Sequence, residues 1–370
     1  HATRLFKERV RDFPDGRYVF RDVLDDDGVG NGPIGIQASV ERMGDRLVVD
    51  FTGSDPQVPG ATNSPRCFTE SAVYYTLKAV LGADIPDNSG YFDLVDVRAP
   101  QGTVVNPSEP AATGAKGVAA FRITDTLFGA LAQAMPGRVP AAGDGGASIV
   151  AFGGRDDAGA FVLVDIVMSS WGGRPDRDGI DGISSAASNG RNTPIEVIEA
   201  SYPVRVTSYE FVDGSGGAGQ FRGGLATRRC YLYMGTEPAV LQVRSDRNPT
   251  HSWGLLGGHG GATSSNVVVP SGGEPQRMPT KFTTTIQPGA IFEHVTGSAA
   301  GYGDPLDRDF ELVLRDVLDQ KVSIEAARDE YGVVIDEDFT VDRGATESLR
   351  EQAHRTPHLV TADHAASAVD

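Results

Sequence analysis

Cysteine is nearly absent: Cys67 and Cys230 are the two in 370 residues, and neither stands in a C-x-x-C spacing. Two cysteines make no disulfide framework and no zinc cluster, so a reducing compartment is expected. Long apolar runs are lacking too. The longest, near residues 161–168, has the length of a strand and falls far short of the roughly 20 residues a bilayer-spanning helix needs. No signal-peptide pattern is present. A soluble, cytoplasmic protein is the expectation. Cations are scarce: Lys and Arg total 33 against 50 Asp and Glu, a net charge of −17. Nucleic acid and anionic membranes demand clustered positive charge, so both are excluded as partners.

Several catalytic signatures are missing as well. The glycine-rich segment 215–224 lacks the G-K-[ST] ending of a P-loop, and no strand–G-x-G-x-x-G–helix unit surrounds it. It reads as a sharp turn with Arg222 paired internally, and ATP is not expected to bind this chain. There is no G-x-S-x-G elbow, and neither cysteine has an activating histidine near it in sequence, so Ser- and Cys-nucleophile hydrolases are disfavoured. Both cysteines are expected to be buried as small apolar residues. The histidines are His1, His251, His259, His294, His354, His358 and His364. None forms an H-x-x-x-H or H-x-x-D set on a convincing strand or helix. His354 and His358 are four apart, but Pro357 lies between them in a polar tail, where a solvated chain is favoured over a metal site. No metal is expected on these residues.

What is present is mostly strand. Ala2, Leu5, Phe6 and Val10 follow a helical rhythm that stops at Phe13-Pro14-Asp15-Gly16. No cap precedes that rhythm, and the chain reads as one that starts inside a helix with residues before it missing. Alternating runs at residues 18–23, 34–40 and 47–51, separated by Asp/Gly breakers, predict an antiparallel meander. Helices are expected over about 69–81, with Gly82 as its stop, and over about 118–135, with Phe121, Leu127, Phe128, Leu131 and Ala134 on its apolar face. A proline-stiffened connector joins them. Eight short strands follow between Ser148 and His294, many bounded by glycine clusters. Phe310, Val313, Leu314, Val317 and Leu318 predict a helix capped by Asp307 or Asp309, and Ser323 opens another. The fold class is α+β and β-rich: antiparallel sheets, a few packed helices and a short C-terminal helical segment. The expected divisions are 1–145 (meander plus two helices), 146–300 (glycine-loop β domain), 301–335 (C-terminal helices) and 336–370 (an acidic, disordered tail).

An ordered set of segments carries a resemblance. They are Phe13-Pro-Asp-Gly-Arg-Tyr with Val49-Asp-Phe-Thr-Gly-Ser54, then Ala83-Asp-Ile-Pro-Asp-Asn-Ser-Gly90 and Ala99-Pro-Gln-Gly-Thr-Val-Val-Asn-Pro107. Asn192-Thr-Pro-Ile-Glu196, Ser215-Gly-Gly-Ala-Gly-Gln-Phe-Arg-Gly-Gly224 and Gly301-Tyr-Gly-Asp-Pro-Leu-Asp-Arg308 complete it. Together they resemble the hydantoinase B/oxoprolinase family, in the family's order, up to about Ile335. The resemblance implies an enzyme subunit working with a hydantoinase A-like ATPase partner. That partner binds ATP and Mg and phosphorylates the carbonyl oxygen of a small substrate. The subunit like this one then completes ring opening of a cyclic amide such as 5-oxoproline or a hydantoin. Members that resemble acetone or acetophenone carboxylases carboxylate a ketone instead. A third alternative is a structural or assembly portion, with catalysis in the partner and in an N-terminal region absent from this sequence. That region is where the family's His/Asp metal motifs lie.

The stretch 169–199 supplies candidate site residues, because polar side chains on glycine-rich loops between apolar strands are how a sheet presents a pocket. Arg174 and Arg191 are expected to clamp an anionic substrate group, and Asp178 is a further candidate for substrate binding. Glu196 is the candidate base or water-orienting group, and Asn192 the candidate oxyanion partner. A structural alternative stands beside them: Asn192 and Thr193 capping a helical turn that Pro194 opens, with Glu196 in its first turn. The substrate itself is not legible, since specificity depends on pocket shape.

Overall fold

A computed structural model describes residues 1–355 except 157, 158 and 185. The opening rhythm forms α1 (Ala2–Arg11), burying Ala2, Phe6 and Val10. The three alternating runs become β1 (Arg17–Leu24), β2 (Ile34–Met43) and β3 (Arg46–Asp50), paired as an antiparallel meander. α2 (Arg66–Leu81) then crosses over and returns the chain through the short α3 (Ser89–Phe92) to β4 (Val95–Arg98), which pairs parallel to β3. β4 lies inside the proline-stiffened connector, where the sequence predicts no strand. It adds a parallel edge to the meander, and a parallel pair needs such a crossover.

α4 (Lys116–Ala134) lies across β1 and β2. Its sequence suggests one apolar face, yet every residue from Val118 to Ala132 is buried, Arg122 and Asp125 among them. The helix is therefore sandwiched between the first sheet and the rest of the chain. A helix buried all round has to pair any charge it carries.

The remaining strands are β5 (Ser148–Asp156), β6 (Gly159–Val167), β7 (Val204–Phe211), β8 (Thr227–Tyr233), β9 (Ala239–Arg244), β10 (Ser265–Val269), β11 (Gln276–Met278), β12 (Lys281–Ile286) and β13 (Ile291–Val295). They make two antiparallel sheets, β11-β10-β13-β8-β7 and β12-β9-β5-β6. The inward rows of both sheets, including Phe152, Leu163, Tyr231, Leu241 and Phe292, share one apolar core. α5 (Ile195–Ser201) covers one end of it through Ile198. The α+β class and every strand expected after Ser148 are present, with boundaries shifted by a few residues and β11 added.

Four loops without regular structure cross between the sandwich and the first half, and glycine makes the crossing possible. Gly173 N–H donates to Ala300 O (2.8 Å), Gly217 N–H to Ala299 O (2.9 Å), His259 N–H to Ala218 O (2.7 Å) and Gly301 N–H to His259 O (2.9 Å). A Cβ on Gly301 would lie 2.0 Å from Ala218 O, and one on Gly258 would lie 2.1 Å from Gly301 O. The 215–224 segment is part of this knot. Arg222 is buried there, as expected, donating to Gly223 O (2.6 Å) and facing Asp181 (3.5 Å).

At the C-terminal end, α6 (Phe310–Leu318) is capped by Asp309 and α7 (Ile324–Asp329) by Ser323. The tail expected to be disordered from residue 336 instead forms α8 (Arg343–Arg355). Its sequence is too polar to advertise a core. It is held by hydrogen bonds: Val334 N–H to Thr346 Oγ1 (3.0 Å), Arg350 Nε to Tyr331 O (3.1 Å) and Arg350 Nη2 to Arg308 O (2.7 Å). His354 falls in this helix, while His358, His364 and the rest of the tail lie outside the described residues. Cys67 is exposed on α2 rather than buried, and Cys230 is half-buried beside Glu293.

The knot sets a sharp contrast between glycines. Gly301→Ala drives a methyl group into a carbonyl and is expected to destabilise the fold by about 3 kcal/mol or more. Gly153→Ala, where a Cβ meets nothing within 4 Å, is expected to leave it unchanged. Urea denaturation of the two variants measures the difference.

Candidate functional site

Arg122 is one of four arginines fully buried among the described residues, and it stands in the middle of α4. Its Nη1 donates to Asp22 Oδ2 on β1 (2.9 Å), and its Nη2 donates to Asp246 Oδ2 just beyond β9 (2.7 Å). One guanidinium thus ties the first half of the chain to the sandwich. Arg247, the residue after Asp246, reaches back to Asp22 (3.0 Å) and to Asp125 (3.3 Å), which follows Arg122 by three positions on α4. Its backbone is held at φ 65°, and its Nη1 also donates to His251 O (2.8 Å). Lys281 at the start of β12 completes the set with Asp246 (3.1 Å).

Three buried cations therefore meet Asp22, Asp25, Asp125, Asp144 and Asp246, and there are more carboxyls than partners. Burial pushes the Asp22 carboxyl up, but Arg122 and Arg247 outweigh it and bring it down to about 2. Asp246 is likewise raised by burial and then carried below its ordinary range by Lys281 and Arg122. The surplus groups go the other way. Burial and the charge of Asp246 lift Asp25 to about 6, although Thr250 Oγ1 (2.6 Å) and Asn248 N–H (2.7 Å) donate to it. Burial also lifts Asp125 to about 6 against the pull of Arg247 and Arg122. Asp144, buried and beside Asp125, is raised well above the ordinary range. Its carboxyl accepts backbone N–H groups of Gly146 and Ser170, and its Oδ1 has no partner among the described residues.

Two small cavities flank this pair of carboxyls. One, of about 10 Å³, is lined by Asp144, Asp246, Ser148, Ser245 and Thr296. The other, also about 10 Å³, is lined by Asp125, Phe128, Pro140, Ala141 and Trp171. Each has room for about one water. The chemistry on offer is proton transfer: a carboxyl that burial and a neighbouring carboxyl push above its ordinary range can hold a proton and give it up. Among the described residues, no group of three or more His, Cys, Asp or Glu side chains is placed to hold a metal ion.

The five residues expected from sequence are distributed differently. Arg174 donates through Nε (3.1 Å) and Nη2 (2.6 Å) to the backbone carbonyl of Asp178. The Asp178 carboxylate is taken by Arg308 (2.6 and 2.8 Å) and by the Arg222 N–H (2.7 Å). These two residues therefore brace the glycine knot against the C-terminal helices. Asn192 does not cap α5 and lines neither of the two cavities; its Nδ2 donates to the hydroxyl of Tyr209. Arg191 and Glu196 are exposed, without a hydrogen-bond partner among the described residues. The same stretch does supply Trp171, Gly172 and Ala186 to the Asp125 cavity. Sequence reasoning missed the junction itself. The signal was Arg122 and Asp125, two charges three apart inside an otherwise apolar helix.

The junction imposes a pH dependence on stability. Asp25 and Asp125 have folded values above the ordinary 3.8. They therefore add stability at low pH and lose it as pH rises through about 6. Asp22 is depressed, so its contribution is present above 3.8 and is lost as pH falls toward 2. Scanning calorimetry is expected to show a higher Tm at about pH 5 than at about pH 7. Asp125→Asn should shrink that difference, and an unchanged difference would remove Asp125 from the account. Asp22→Asn strips a carboxylate shared by two buried guanidiniums and is expected to cost about 3–5 kcal/mol.

Comparison with known proteins bears on the same regions. The Hydantoinase B/oxoprolinase family model matches residues 1–305. The B component of a D-/L-hydantoinase from Pseudomonas sp. strain NS671 is 34% identical over 95% of this chain and 61% of its own length. The crystal structure of ATP-dependent caprolactamase from Pseudomonas jessenii superimposes with a TM-score of 0.84 at 32% identity, over 95% of this chain and 62% of that one. Acetone carboxylase in its nucleotide-free form shares the fold, with a TM-score of 0.84 at 18% identity over 96% of this chain and 55% of the other. The chain thus spans about three fifths of the length of these relatives. The match runs through the first sheet, α4, the sandwich and the glycine knot alike, and the chain belongs to the hydantoinase B/oxoprolinase family.

Proposed function

We propose that this chain is part of an ATP-dependent enzyme that opens small cyclic amides, and that the junction around Asp125 and Asp144 is where its proton transfers take place. The observation that carries the reading is the likeness, across both halves of the fold, to a caprolactamase and to a component of a hydantoinase. Those relatives' names both point to cyclic amides. A lactam is a poor electrophile because its nitrogen lone pair is delocalised into the carbonyl. Phosphorylation of the carbonyl oxygen removes that protection, provided bulk water is kept from the intermediate. A hydantoinase A-like partner would hold ATP and Mg and perform that step. The chain's own share is the ring opening: excluding bulk solvent, orienting one water, and moving a proton to the departing nitrogen. Carboxyls lifted above their ordinary range by burial, Asp125 to about 6, suit that last task.

The test is substrate-dependent phosphate release by the chain reconstituted with its ATPase partner. 5-Oxoproline, hydantoin and caprolactam are offered in turn, each with and without bicarbonate. Release with a cyclic amide and no need for bicarbonate is expected; a requirement for bicarbonate and a ketone would favour a carboxylase instead. Asp125→Asn is expected to lower turnover by roughly a hundredfold, and Glu196→Gln, at an exposed position, to leave it unchanged. The reverse pattern would move the chemistry to α5.

A further inference from the structure

One end of the sandwich core is polar. β8 carries Tyr233 and Tyr231 inward, then Arg229 and Thr227. β13 carries Phe292 and His294 inward, and Thr296 follows just past its end. Tyr209, Arg229, His294 and Asn266 stand opposite one another across β7, β8, β13 and β10. Asp165 of β6 meets Arg229 from the other sheet, and of these five only Tyr209 reaches solvent. Its ring covers the Arg229 guanidinium at 3.9 Å and closes the row from outside. Polar groups taken so deep have to be paired.

Their pairing is incomplete. Arg229 Nη1 and the Tyr231 hydroxyl (2.7 Å) both donate to Asp165 Oδ2. Arg229 Nη2 and Asp165 Oδ1 have no partner among the described residues. Asn266 Nδ2 donates to Ser245 Oγ and to Pro279 O, both at 3.0 Å, so its Oδ1 accepts from His294 Nδ1 (2.8 Å). His294 therefore carries its proton on Nδ1 and leaves a bare lone pair on Nε2. That atom too is buried without a partner among the described residues, as is Thr227 Oγ1. Thr227 N–H donates to Thr296 Oγ1 (2.9 Å), and Thr296 lines the cavity beside Asp144, whose Oδ1 is likewise unpartnered.

At the Arg229 end the orphaned atoms include two acceptors, His294 Nε2 and Asp165 Oδ1, beside a cationic donor. One water is their complement, with two protons to give and a lone pair to take. Those are the roughly three hydrogen bonds a buried water makes. An anion cannot serve two acceptors, and the guanidinium repels a metal cation. Left bare, each group would forfeit the cost of its own desolvation. We propose that Arg229, Asp165 and His294 hold a buried water, the inner end of a file of waters that runs past Thr227 and Thr296 to the cavity at Asp144. The file's use rests on the proposed ring opening, which consumes water while bulk solvent is kept out. Water stored between the sheets reaches Asp144 one molecule at a time.

High-resolution crystallography of the 370-residue chain is expected to show one water within hydrogen-bond reach of Arg229 Nη2, Asp165 Oδ1 and His294 Nε2, and another at Thr227 Oγ1. Nitrogen-15 NMR is expected to place the His294 proton on Nδ1. Thr227→Val keeps the shape and removes the hydroxyl, so oxygen-17 relaxation should count fewer long-lived waters, and Thr227→Ser should restore them. In the pair reconstituted with its ATPase partner, Thr227→Val is expected to lower kcat roughly tenfold at unchanged KM, with Thr227→Ser near the parent. No water at the three atoms, a proton on Nε2, or a water count indifferent to Thr227→Val would overturn the proposal, whether or not the pair opens amides. An unchanged kcat in an active pair would overturn the file's role and leave the ring opening standing. A pair inert towards every amide, with the waters in place, would sustain the file and refute the ring opening.

Discussion

A guanidinium buried inside a helix must find carboxylates without the help of water, and for Arg122 they come from opposite halves of the chain: Asp22 on β1 and Asp246 beyond β9. Much of the molecule's arrangement follows from that requirement. α4 cannot be exposed on its far side, so the sandwich has to close over it. Arg247 must bend back into the same cluster, and it does so at a backbone conformation that few residues adopt. An unpaired charge there would cost several kcal/mol, far more than one surface ion pair returns. The glycine knot is the other half of the same closure, since loops that cross at backbone contact bring the two lobes close enough for the pairing.

Closure also creates the surplus that makes the junction chemically interesting. Three cations satisfy some of the carboxyls and leave others in a low dielectric without full compensation. Of those others, Asp25, Asp125 and Asp144, the last two line the cavities. A purely structural junction would be better balanced. Retaining unbalanced buried acids is a stability cost that a functional site can explain, and proton transfer to a leaving nitrogen is a function that needs them.

Local pattern was legible in the sequence, while long-range pairing was not. Alternation located β1 to β3 and the strands of the sandwich, and Asp309 and Ser323 marked their helix starts because a cap is a contact between near neighbours. β4 escaped because four residues between prolines carry too little alternation, and its strand status depends on β3 beside it. α8 escaped because hydrogen bonds rather than apolar area hold it. The candidate site shows the same division. Polar residues on glycine-rich loops pointed to Arg174 and Asp178, whose partners turned out to be Asp178's own carbonyl and Arg308. Nothing local links Asp22 to Asp246, 224 positions away, although Arg122 and Asp125 within an apolar helix were visible.

Protonation states inside the junction decide whether it can move a proton. Carbon-13 NMR of the aspartate carboxyls, assigned by Asn substitution, measures them one by one. Asp125 is expected to titrate near pH 6, Asp22 to stay ionised until about pH 2, and Asp144 to titrate well above the ordinary carboxyl range. Ordinary midpoints near 3.8 for all three would mean that water reaches the junction freely, and that no proton is held there for chemistry.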